Sequence, residues 1–316
     1  MNKKLLLKDA GEEGLIRRLR MFFPPCPRIP MGIGDDTAVL PYTRQAYLLF
    51  TTDASVDGID FRLAKIGPEA IGRKVLAQNL SDIAAMGGIP LYGVMTLGVP
   101  PSFPVDFVEE FYAGVKKLSR RFNMKIVGGD FSRSKVFFAS CALIGAVEKK
   151  YAVFRKNART GDFIFVTGTL GGSILGRHFC FAPRIREARF LVRKFRPHAM
   201  IDVSDGLTRD LGHLLDESGK SAVLYADRIP VSEAAKVLAR KTGKKPLEHA
   251  LGDGEDFELL FTVSPGDGKK LMALKKVAGT AVHFIGRVRK GKGLFIQSSE
   301  KSLERKRIPC KGFSHF

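Results

Sequence analysis

The sequence predicts a two-domain protein of mixed α and β structure. Three observations lead there. The chain has 316 residues, about twice the roughly 150 of a common domain. Strand-like apolar runs alternate with glycine turns and helical stretches along its length. Hydrophobic residues make up 45% of the chain, enough to fill a sizeable core.

Taken in order, "AYLLFTTD" (46–53) reads as a strand that ends in a polar cluster. "GPEAIGRKVLAQNLSDIAAMGG" (67–88) reads as a helix, opened by Pro68 in its first turn and stopped by glycines. "PLYGVMTLGV" and "KVFFASCALIGAVE" are strand-like, with the helical "VDFVEEFYAGVKKLSRRF" between them. A boundary falls near residue 150, where apolar "CALIGAV" gives way to polar "EKKYAVFRKNARTGD". This divides the chain into 1–150 and 151–316. Beyond it, "DFIFVTGTLGGSILGR" repeats the strand, glycine turn and helix pattern. "RPHAMIDVSDGLTRDLGHLLDESG" reads as a short strand, a turn and a helix.

Composition narrows the function classes. No stretch reaches the roughly 18 apolar residues of a membrane span. The apolar run in "MNKKLLLKDAGEEG" is too short for a secretory signal, so a cytoplasmic protein is expected. Cys26, Cys141, Cys180 and Cys310 form no C-x-x-C pair, which argues for reduced thiols over a disulfide framework or a zinc site. Lys and Arg outnumber Asp and Glu by 52 to 32, a net charge of +20. That surplus favours anionic partners. With no nucleic-acid-binding signature beside it, phosphorylated small molecules are preferred to nucleic acid.

Against this basic background, acidic residues recur where apolar strands are expected to end. Asp35 and Asp36 follow Gly34, Asp53 follows "LLFTT", Asp130 follows "KIVGG", and Asp202 and Asp205 sit in "AMIDVSDG". Asp82 lies on the expected helix, three residues after Asn79 on the same face. Singly, each aspartate is ordinary turn or cap chemistry. Together they form a set of hard oxygen ligands without matching His or Cys, which suits Mg²⁺ shared with substrate phosphates. "GRVRKGKG" (286–293) misses a Walker A loop, because Gly293 replaces the Ser or Thr and a strand follows. "VTGTLGGS" lacks dinucleotide spacing but offers main-chain N–H groups at a helix start. No nucleophile motif is present, consistent with phosphoryl transfer, which relies on positioning and charge neutralisation.

"GIGDDTAVL", "TTDASVDGIDF", "NLSDIAAMGGIP", "VGGDFSRS", "RTGDFIFVTGTLGGS", "AMIDVSDGLTRDLGHL", "GDGEDFELLFTV" and the closing "GFSHF" follow one another in this chain. In that order they resemble the thiamine-monophosphate kinases, from about residue 11 to the last. The resemblance implies an aminoimidazole ribonucleotide synthetase-like fold. An N-terminal α/β domain would dimerise through a four-stranded sheet, and an α+β domain would follow. It also implies ATP as co-substrate, Mg²⁺ as cofactor, and thiamine monophosphate as acceptor. The metal positions would be Asp35, Thr51, Thr52, Asp53, Asp82, Asp130, Asp202 and Asp205. Gly129, Asp130, Arg155 and Ser204 would contact ATP, with Tyr112 near the nucleotide. Asp130 and Arg155 would be the catalytic pair. Asp60, Glu255 and Phe313 would lie at the thiamine end, where a cationic ring favours a carboxylate and an aromatic face.

Two positions depart from the family pattern. Asp60 stands where a histidine is usual, and Asp253 where a glycine is usual. Both add negative charge toward the thiamine side. The alternatives are another ATP-dependent reaction of the same superfamily, with a shifted acceptor, and a basic nucleic-acid-binding protein.

Overall fold

A computed structural model describes residues 6–314; His315 and Phe316 of the closing motif lie outside them. A first helix, α1 (Leu7–Phe22), bends at Gly11 and buries none of its residues. It is followed by β1 (Ala38–Pro41), β2 (Ala46–Val56), α2 (Pro68–Ala85), β3 (Ile89–Val99), α3 (Val105–Arg121), β4 (Lys125–Arg133) and β5 (Phe138–Glu148). The strands form one sheet in the order β1-β2-β5-β3-β4. That is five strands where the resemblance implies four. The fifth arises because Thr43 closes a tight turn with Ala46 and so returns β1 against β2.

The two faces of this sheet differ. Leu49, Met95, Leu97, Cys141 and Leu143 are fully buried on the face covered by α2 and α3. On the other face Phe50, Ile144 and Tyr92 stand opposite one another across three strands, and Phe50 and Tyr92 are exposed. The covering helices approach closely because Gly72 and Gly114 face the main chain of the opposite helix; a Cβ at either would collide with it.

The second half contains β6 (Phe163–Thr167), α4 (Arg177–Cys180), α5 (Ile185–Lys194), β7 (Ala199–Asp202), α6 (Leu207–Ser218), β8 (Ser221–Tyr225), α7 (Glu233–Thr242) and α8 (Pro246–Gly252). It continues with β9 (Leu259–Val263), α9 (Pro265–Leu274), β10 (Lys276–Val277), β11 (Thr280–Arg289), β12 (Gly293–Gln297) and β13 (Lys306–Ile308). Its sheet runs β13-β12-β8-β11-β6-β9-β7, with β10 paired to β11. Alternate residues of β6 enter two separate core clusters. One of these, holding Phe163 and Phe165, is continuous with Leu49, Ile71 and Leu80 of the first half. Helix α2 therefore lies between the two halves and is buried on nearly every side.

Three local expectations are corrected. Asp53 and Asp130 lie inside strands, not at strand ends, because β2 runs on to Val56 and β4 to Arg133. In β4, Gly129 permits close approach to the Met95 main chain and makes no turn. After β6, "VTGTLGGS" leads to the single turn Ser173–Leu175 and the four-residue α4. Gly171, Gly172 and Gly176 have positive φ there, which stops a longer helix from forming. Among the described residues no helix is long and apolar enough to cross a membrane.

Candidate active site

A cavity of 790 Å³ opens between α1, the Gly34–Thr37 loop, β2, α6 and the turn that carries Arg155. Asp35, Asp36, Thr51, Thr52, Arg155, Ser204 and Asp205 border it. The "GDD" bend is held from the second half of the chain. The Asp35 carboxylate accepts the Arg155 N–H at 3.2 Å and the Asp36 N–H at 3.1 Å. The Arg155 guanidinium donates to Asp36 at 2.6 Å. Two adjacent like charges are thus tolerated partly because an arginine is clamped against them.

One layer deeper are three further carboxylates, each supplied by a different element. Asp53 comes from β2, Asp82 from the last turn of α2, and Asp202 from the last residue of β7. Thr51 donates to Asp82 at 2.5 Å and Ser81 donates to Asp202 at 2.5 Å. Asp36, Asp82 and Asp202 each offer an oxygen, and these oxygens all lie within 4.8 Å of one another. Burial pushes Asp53 up to about 6 and Asp202 up to about 8, with neighbouring carboxylates adding to the effect. Asp82 is raised well above the usual carboxylate range for the same reasons, burial first. Asp35 is raised to about 7 by burial and by Asp36, against the opposing charge of Arg155. Packing carboxylates this closely without matching cations costs energy. A hard divalent ion would relieve that cost, so the donor set fits Mg²⁺.

Asp205 lies at the cavity wall in the "SDG" turn. Its N–H and that of Gly206 are capped by the buried Asp210, at 3.1 and 3.0 Å, and Arg209 Nε is 3.2 Å from its carboxylate. Ser204 accepts the Glu255 N–H at 2.6 Å. Phe313 is held nearby by its main chain, donating to Asp205 O at 2.9 Å and accepting from Arg209. The residue is 45% exposed, and its main chain docks the tail. Thr52, which borders the cavity, turns its hydroxyl to Ser140 at 3.4 Å.

Glu255 sits deeper, with its carboxylate paired to Lys74 and, at 2.7 Å, to His178 Nδ1. Asp60 lies just after β2. Its carboxylate accepts the Val56 N–H at 2.8 Å and closes its own turn. Asp253 is likewise used internally, accepting the Gly172 N–H at 2.8 Å and lying 3.1 Å from His249.

Three of the expected residues stand apart. Gly129 and Asp130 lie on β4, three strands from β2 across the sheet, or roughly 14 Å at the usual strand spacing. Asp130 pairs with Thr96 and shares the uncovered face with it, whereas Asp53 pairs with Cys141 on the buried face. Tyr112 is close to that same edge, its ring 6.3 Å from Phe131. Within one chain these three do not reach the cavity.

Sequence reasoning noted Asp36 but left it out of the ligand set, and it missed Lys74, Ser81, His178 and Asp210. Lys74 carried a signal. It falls between Ile71 and Val75 on the apolar side of the expected helix, where a charge needs a buried partner. His178 carried none, since its role depends on a segment distant in sequence, whereas Asp210 caps a turn only four and five residues before it.

Comparisons with known proteins identify the family. Residues 34–147 match the AIR synthase related protein N-terminal domain, and residues 158–299 match its C-terminal domain. The chain is 37% identical to thiamine-monophosphate kinase of Rhodopirellula baltica, covering 96% of this chain and 97% of the relative. It is 34% identical to the enzyme of that name from Aquifex aeolicus, covering 98% and 99%. A solved structure described as AaThiL complexed with AMPPCP and TMP superposes with a TM-score of 0.86 at 33% identity, covering 99% of each chain. Hydrogenase maturation protein HypE from E. coli, at 20% identity and a TM-score of 0.70, shares the fold. The chain belongs to the thiamine-monophosphate kinase family of the AIR synthase related proteins.

Proposed function

We propose that the protein transfers the γ-phosphoryl group of ATP to thiamine monophosphate, giving thiamine diphosphate and ADP. Its relatives carry that name, and the AaThiL structure holds AMPPCP together with TMP. The observation that carries the reading is the convergence of Asp36, Asp82 and Asp202 behind a cavity bordered by Arg155 and Ser204. ATP would bind there, with Arg155 and Ser204 at its phosphates. Glu255 and Phe313 would meet the cationic ring of the acceptor. An acceptor phosphate oxygen is already ionised at neutral pH, so in-line attack on the γ-phosphorus needs no general base.

The barrier is repulsion between two polyanions. Asp36, Asp82 and Asp202 would hold Mg²⁺, with Asp35, Thr51, Thr52, Asp53 and Asp205 around them. When bound, magnesium would supply neutralisation of the phosphate charge. Arg155 contributes a fixed positive charge. The carboxylates keep their positions because each is anchored by its own rigid element.

The working form in this reading is a cytoplasmic homodimer, each chain divided near residue 150. Phe50, Ile144 and Tyr92 give the first sheet an uncovered apolar row suited to a second copy. Sheet-to-sheet association would bring the partner's Gly129, Asp130 and Tyr112 to this chain's nucleotide and metal.

Purified protein incubated with ATP, Mg²⁺ and thiamine monophosphate should release thiamine diphosphate. Absence of that product, with turnover of a different phosphate acceptor, would overturn the reading. Asp130→Asn should be inactive yet folded. Mixing it with inactive Asp82→Asn should restore activity, because one site of each mixed dimer would be intact.

A further inference from the structure

Lys74 is fully buried in the middle of α2, eight residues before Asp82. Its ammonium donates to the Asp60 carbonyl at 2.9 Å and to Glu255, and it lies 3.1 Å from His178 Nδ1. His178 is 3% exposed, and its Nδ1 is 2.7 Å from the second Glu255 oxygen. A ring nitrogen carries one proton, so the proton on Nδ1 points to the carboxylate, and Lys74 directs its own protons to Asp60 and Glu255. Of the three side chains, only Glu255 remains partly open, at 27%.

The node joins the two halves of the molecule. Lys74 and Asp60 belong to the first; His178 on α4 and Glu255 belong to the second. Beside it, Arg73 donates to the main-chain oxygens of Phe179 and Phe181. Glu255 also has a left-handed backbone, with φ of 62°, a conformation that costs a non-glycine residue energy. A buried ion pair adds little net stability over apolar packing. Yet strain and buried charge coincide at one residue, which bonds through its N–H to Ser204 on the cavity wall.

We infer that Lys74 is a positioning residue for acceptor recognition: through Glu255 it couples docking of the second half against α2 to capture of the acceptor's cationic ring. Lys74 fixes one carboxylate oxygen and His178 the other, so the carboxylate is held in one orientation while part of it stays exposed. The hydrogen bond to His178 and the Lys74 charge also hold Glu255 below the usual carboxylate range despite its burial. Asp60 enters the node through its carbonyl, its carboxylate being spent on the turn. The inference rests on the proposed thiamine monophosphate kinase activity and adds to it the residue that orients the acceptor side.

The test uses full-length Lys74→Met and His178→Gln, assayed for thiamine diphosphate formation with each substrate varied in turn. Acceptor binding is measured by calorimetry with a non-hydrolysable ATP analogue present. In Lys74→Met the acceptor KM should rise roughly tenfold to a hundredfold, while the ATP KM stays within about threefold. His178→Gln should shift the same constant in the same direction by less. Should Lys74→Met fail to fold, His178→Gln carries the test by the same split. Unchanged acceptor affinity in a folded variant, or an equal loss for both substrates, overturns the inference while leaving the kinase reading intact. A wild-type enzyme that neither binds nor phosphorylates thiamine monophosphate sinks both.

Discussion

The acidic cluster and the Glu255 node are both buried sets of ionisable groups, yet their charges are arranged in opposite ways. Around Asp82, carboxylate faces carboxylate, and Asp53, Asp82 and Asp202 are all pushed up. Around Glu255, a lysine and a histidine face one carboxylate, and it is held down. Burial opposes charge in both places, so the partners decide the outcome. The first region is left short of positive charge, which a cation can supply from outside. The second carries its own compensation, as suits a group that must keep one position before any ligand arrives.

That contrast can be broken from either side. The largest effect is expected for Asp82→Asn. Its activity should fall on the order of a thousandfold, as for removal of a preorganised electrostatic element. Its metal-free melting temperature should rise because a like charge is gone. Turnover together with thermal melting in EDTA and in Mg²⁺ checks this; a variant that is less stable without metal would contradict the account of the cluster.

The reverse sign is expected at the node. Glu255→Gln strands the Lys74 charge in the core and should cost about 3 kcal/mol in urea unfolding. A neutral result there would mean that Lys74 is compensated elsewhere.

Asp256 separates burial from partner charge. It is buried beside Glu255, accepts from Ser173 at 2.5 Å and from the Gly171 N–H at 2.8 Å, and is raised to about 7, chiefly by burial. The folded state therefore holds a proton that the unfolded chain loses near pH 4. Stability contributed by this group falls as pH rises from about 4 to 7, by roughly 1 kcal/mol per pH unit, and is lost above that. Asp256→Asn mimics the protonated form and should flatten that part of the profile, measured by urea unfolding at successive pH values.

The smallest effect is expected at Asp60. Asn can still accept the Val56 N–H, so Asp60→Asn should change stability by less than about 1 kcal/mol. It should also leave the acceptor KM unaltered. A large KM change would show that the carboxylate, and not the carbonyl, serves the acceptor side.

Much of this was legible in the chain itself. The helix over 67–88, the strand opening at Ala46 and the two-part organisation follow from periodicity, Pro68 and the glycine stops. The aspartates could be singled out because hard acidic ligands are conspicuous in a chain of charge +20. The ends of β2 and β4 were not legible, since "TTD" and "GGD" look like turn chemistry. Each was kept extended by ladder bonds to a neighbouring strand that local propensity does not contain. The internal hydrogen bonds of Asp60 and Asp253 were not legible for a related reason. Both appeared free to face a ligand until their main-chain partners, Val56 and Gly172, came into place.

By itself the sequence determined which residue types were present for the chemistry and which local elements would carry them. Only the tertiary structure decided which carboxylates converge, that Asp130 stands apart from them in a single chain, and that Lys74 of one half meets Glu255 of the other. Local conformation is written in short-range spacing and turn residues. Convergence is set by packing α2 between two sheets, where residues more than a hundred positions apart come within hydrogen-bonding distance.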